Sequence, residues 1–150
     1  MDRPHFASTE AAVTAVRAFA REHGLAVEVT DDIGADRSAR RSAAGVGVVT
    51  DADGSLPHEA LIELGGAPRI DIELYSEGDA KITVDTVEFH DIPRDHVPDF
   101  LRSVHGGLAH VKGRFFPPGW RLVVPLPGDE TYKELILRHS LTPWLSSRVR

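Results

Sequence analysis

The chain has 150 residues, 41% hydrophobic and 27% charged, with a formal net charge of −6 at pH 7. A chain of this length buries one sizeable core without staples, and its composition excludes wholesale disorder. The absence of cysteine excludes disulfides, thiolate metal sites and a cysteine nucleophile; the excess of acid over base argues against general nucleic-acid binding, which needs a basic face.

The amino terminus, MDRPHFASTE, has no apolar h-region, and no run of about eighteen apolar residues occurs, so neither a signal peptide nor a membrane span is expected. A cytoplasmic protein with one domain over 1–150 is the expectation. A first helix spans about 9–23: Ser8 or Thr9 supplies the capping oxygen, Glu10 favours the first turn and Gly24 closes it. Ala12, Val13, Val16, Phe19 and Ala20 form its apolar stripe.

Leu25 to Thr30 alternates as a strand, and the small, charged stretch 31–43 that follows lacks any period and reads as a mobile loop. A run over 45–50 leads into Asp51-Ala52-Asp53-Gly54, a hairpin signal, with Glu59 to Leu64 returning. Beyond the turn Gly65-Gly66-Ala67-Pro68, the run Arg69 to Tyr75 puts Ile70, Ile72 and Leu74 on one face and Asp71, Glu73 and Tyr75 on the other. Ala80 to His90 continues with Ile82 and Val84 inward, then changes phase to Val87 and Phe89, which suggests a β-bulge near Asp85-Thr86.

Val97, Phe100, Leu101 and Val104 mark a second amphipathic helix over about 95–105. Asp95 and Pro98 mark its start, Gly106-Gly107 its end, with Arg102 and His105 as cations in the last turn. Two extended runs, Leu108 to Phe116 and Trp120 to Pro125, flank Pro117-Pro118-Gly119; Thr131 to Leu137 adds a strand and Thr142 to Leu145 a short capped helix. The expected fold is α+β: an antiparallel meander of about six to eight strands, with the two amphipathic helices packed on one face. About five strands precede the second helix and about three follow it.

Three constellations bear on metal or catalytic chemistry. His90, His96, His105 and His110 lie close in sequence, but their spacing matches no compact metal motif, and His96 is expected to point away from the helix's apolar face. Asp31, Asp32 and Asp36 sit among arginines, and the calcium-like start at Asp51 fails because Leu56 and Ile62 stand where glycine and a bidentate glutamate are required. No G-x-S-x-G, G-x-G-x-x-G or P-loop occurs. No cofactor, metal or catalytic residue is therefore assigned, and an enzyme is not the favoured reading.

What the sequence offers is a surface. With the isoleucines inward, Glu63, Asp71, Glu73, Tyr75 and Asp85 lie on the outer sheet face, an acidic surface suited to a basic protein partner. A small, acidic, cysteine-free α+β chain resembles, in size and charge, the immunity proteins that neutralise bacterial toxins. The resemblance implies a non-catalytic inhibitor-type binding protein. The alternative is a small-ligand binder or an enzyme with a pocket between sheet and second helix, using His90, His96, His110 and Trp120. A self-associating structural protein would instead expose an apolar strip around Phe115 and Trp120.

Overall fold

The computed structural model describes residues 6–31, 60–114, 119–137 and 141–150. The expected loop over 31–43 (beyond Asp31), the 45–50 run, the Asp51–Gly54 hairpin, Glu59 and the pair Phe115 and Phe116 lie outside the described residues.

Helix α1 (Thr9–Glu22) starts where Ser8 Oγ accepts the Ala11 N–H at 3.1 Å, satisfying one of the donors a helix start leaves unpaired. Its stripe of Ala12, Val13, Val16, Phe19 and Ala20 is buried. Five strands, β1 (Val27–Asp31), β2 (Ala60–Leu64), β3 (Ile70–Leu74), β4 (Asp79–Val84) and β5 (Val87–Pro93), form an antiparallel sheet in sequence order. Strict alternation in β2, β3 and β4 puts Ile62, Leu64, Ile70, Ile72, Leu74, Ile82 and Val84 into the core. Each such side chain contributes about 1.5–3 kcal/mol by leaving water.

The change of phase after Val84 has a different cause from the one expected. Asp85 and Thr86 form a two-residue hairpin loop, with Asp85 at φ 53°. The bulge lies further on, where Ile82 pairs with Phe89 but Ala80 pairs with Ile92, leaving His90 and Asp91 opposite Lys81. Asp91 adopts φ 56° there, a left-handed conformation that aspartate tolerates better than most residues.

A 3-10 turn (Arg94–His96) leads into α2 (Val97–His105), whose Pro98 occupies the first turn. Asp95 does not cap α2 but reaches back to the amino-terminal segment: its Oδ1 accepts the Phe6 N–H at 2.7 Å, while Arg94 Nε donates to the Phe6 carbonyl. Gly107, at φ 82°, supplies the left-handed exit. The chain then builds a second antiparallel sheet of three strands, β6 (His110–Arg114), β7 (Gly119–Pro125) and β8 (Thr131–Ile136), and ends on α3 (Pro143–Ser147), capped by Thr142. The α+β antiparallel class is as expected, with eight strands. They divide into two sheets because α2 interrupts the meander, and β8 lies against β5 without a ladder between them.

One core joins the parts. Phe100 of α2 meets Phe89 edge-on at 5.1 Å and Tyr132 of β8 at 6.0 Å, so a single ring touches the inner faces of both sheets. His105 stands in the last turn of α2 beside Arg102, as expected, but burial works against its charge. It packs against Phe19 and His23 at ring separations of 5.5 and 6.1 Å; burial first, and then the His23 ring, lower its pKa. Among the described residues no helix is long and apolar enough to cross a membrane.

Candidate protein-docking face

The register of the five-stranded sheet places one residue of each strand in a line across its outer face: Glu28, Glu63, Asp71, Thr83 and Glu88. Four of the five are carboxylates, and Glu28, Glu63 and Asp71 are consecutive cross-strand partners. Directly opposed like charges on neighbouring strands weaken a sheet by a few tenths of a kcal/mol or more per pair. One row over, Glu73 stands opposite Lys81.

Two cations stitch this surface. Arg69, just before β3, reaches Glu63 at 2.9 Å and Asp71 at 3.4 Å while its own side chain stays 64% exposed. Lys81 is drawn in further: it holds Glu73 at 2.8 Å and Glu88 at 3.8 Å. The Glu73 hydrogen bond raises the Lys81 pKa against the opposing effect of burial. His90, on the bulge, lies 3.3 Å from Glu88. Glu28, Glu63, Asp71, Glu73 and Glu88 thus face Arg69 and Lys81, an excess of acid that survives the ion pairing.

Of the residues expected on this face, Glu63, Asp71 and Glu73 stand on it, half-buried at their bases. Tyr75 closes the β3 end, its backbone N–H donating to Asp79 at 2.9 Å. Burial first, and then the neighbouring Glu73, raise the pKa of its phenol. Asp85 stands apart, occupied in a structural role. Its Oδ1 accepts the Arg69 N–H at 2.9 Å and its Oδ2 accepts the Thr142 hydroxyl at 2.5 Å, so one carboxylate ties the β4–β5 loop to β3 and to the cap of α3. Periodicity alone does not reveal Glu28 or Glu88: residues 32–59 separate β1 from its partner β2, and the phase change at Asp85-Thr86 fits a bulge as well as a hairpin.

At the corner of the face, where β1 meets the β2–β3 turn, a cavity of about 450 Å³ opens between Val27, Glu28, Glu63, Leu64, Gly66 and Arg69. Gly65 lies at its base: the Gly65 N–H donates to the Ala26 carbonyl at 2.9 Å, and a Cβ on Gly65 would come within 3.3 Å of the Ala26 Cβ. The turn is therefore close against β1, and the two glutamates overhang it.

The histidine set does not gather around one space. His90 is on the outer face of the five-stranded sheet. His96, contrary to the expectation that it would point away, is 14% exposed, with Nδ1 at 2.7 Å from Tyr132 Oη and 3.1 Å from Glu130 Oε2; the β8 strand covers the side of the turn that sequence left bare. His110 Nδ1 bonds the Leu108 carbonyl at 3.0 Å. Because His110 pairs with Val123 and Gly113 with Trp120, His110 and Trp120 fall on opposite faces of their sheet. The interval between the five-stranded sheet and α2 is filled by Phe89, Val97, Phe100 and Leu101. Among the described residues no group of histidine and carboxylate side chains is arranged to hold a metal ion. Comparison with protein-family models, with curated proteins and with solved structures finds no match to this chain.

Proposed function

We propose that this protein is a non-catalytic binding protein of the immunity or inhibitor kind, which captures a basic protein on the outer face of its five-stranded sheet. The reading rests on one observation, the row Glu28–Glu63–Asp71 of directly opposed carboxylates. Such a row works against the sheet that carries it, and a basic partner converts the same repulsion into attraction. Complementary charge speeds encounter and selects among partners. The absence of cysteine suits a cytoplasmic location, and the acidic excess of the chain disfavours nucleic acid as the ligand.

The test is capture from the native extract, identification of the partner, and measurement of its affinity as a purified protein at low and high salt. Wild type binds, weakens with salt as exposed charge pairs are screened, and loses at least about tenfold in affinity, about 1.4 kcal/mol, in the folded double variant Asp71→Lys/Glu73→Lys. A small-ligand binder or enzyme using the histidine set would keep its activity in that variant.

A further inference from the structure

The outer face of the three-stranded sheet has the opposite character. Lys112 and Arg121 are direct cross-strand partners, and Lys133 stands opposite Val123 on the same face. The strand register places no carboxylate on this face within β6 to β8, and among the described residues none of the three cations is in an ion pair. Beside them Leu135, the cross-strand partner of Arg121, is 55% exposed, and Leu137, one residue past the end of β8, is 73% exposed. Val123 is buried on this face, yet it is not part of the main core cluster. A like-charge pair next to bare leucines is unfavourable twice over for an isolated sheet.

We propose that this face is a second docking surface, and that its occupant is an acidic amphipathic helix of a protein partner. Charge complementarity sets the sign, since carboxylates on the helix would satisfy Lys112, Arg121 and Lys133. The leucines call for an apolar stripe on the same helix. Size sets the shape: three strands at about 4.8 Å spacing are as wide as one helix of about 10 Å diameter, and strands of five to seven residues match about twelve helical residues at 1.5 Å each. At about 10 Å across and about 20 Å along the strands, the face fits one element and not a whole sheet.

The experiment titrates the full chain with a synthetic peptide of about twelve residues that carries Glu and Leu at helical spacing, and follows backbone amide shifts. A Lys-for-Glu peptide, vesicles of phosphatidylglycerol and phosphatidylcholine, and sedimentation of the protein alone are run in parallel. Saturable binding of the acidic peptide is expected, with shifts confined to β6, β7 and β8. Lys112→Glu/Lys133→Glu should weaken it at least about tenfold, Leu135→Ser severalfold, and Asp71→Lys/Glu73→Lys hardly at all. The proposal is overturned if the acidic peptide fails to bind, if the Lys112→Glu/Lys133→Glu protein binds it equally, if the vesicles bind in its place, or if this face is consumed in salt-sensitive self-association.

Discussion

The two sheets share a core but treat their wet faces in opposite ways. Each buries one side against α2, through Phe89 in the first and Tyr132 in the second. On the outside, the five-stranded sheet collects carboxylates and stitches some of them with Arg69 and Lys81, whereas the three-stranded sheet leaves Lys112, Arg121 and Lys133 beside exposed leucines. The contrast teaches that a net charge of −6 describes the molecule poorly. Its surface is divided by sign, and binding follows the local face more than the total, because charges beyond about 8–10 Å are screened at physiological salt.

The comparison can be broken outright at the ring both sheets share. Phe100→Ala should cost about 3–5 kcal/mol, read as a fall in the urea midpoint, and both sheets should be lost in one transition, since the Phe100 ring meets both Phe89 and Tyr132. A smaller and more local break is Asp85→Ala, which leaves the Arg69 N–H and the Thr142 hydroxyl without their acceptor. About 1–2 kcal/mol is expected, with amide exchange rising first around Thr142 to Leu145.

Arg69→Gln sharpens the comparison. It frees Glu63 and Asp71 from their shared cation, so a basic partner should bind about two- to fivefold tighter, the scale of one exposed ion pair, while stability drops slightly; calorimetry on the partner complex and urea unfolding read the two effects. The smallest effect concerns pH. The folded state holds His105 below its ordinary value of 6.5, so as pH falls through 6.5 the unfolded chain takes up a proton that the folded one resists. Stability should therefore decline with falling pH until the folded pKa is passed, and His105→Leu should flatten that part of the profile.

Much of the first sheet was legible in sequence because its alternation is clean: Ile70, Ile72 and Leu74 against Asp71 and Glu73 fix both the strand and its wet face. What sequence left out was pairing between distant strands. Glu28 joins the acidic row only through the β1–β2 register, and no periodicity encodes that. The phase change at Asp85-Thr86 has two physical explanations, a bulge or a tight turn, and the positive φ of Asp85 belongs to the turn. The basic face was invisible for a related reason: Lys112, Arg121 and Lys133 come one from each strand and acquire meaning only side by side. The surroundings of His96 and His105 stayed hidden because helical position alone does not tell which neighbours arrive from β8 and α1.

The most direct test of the account is the affinity of the captured basic partner for three proteins, wild type, Asp71→Lys/Glu73→Lys and Lys112→Glu/Lys133→Glu, each shown to be folded and each measured at low and high salt. A salt-sensitive complex is expected, which the first double variant weakens at least about tenfold and the second leaves within about twofold. Undiminished binding by Asp71→Lys/Glu73→Lys, an equal loss in both variants, or no basic protein captured by wild type would contradict it.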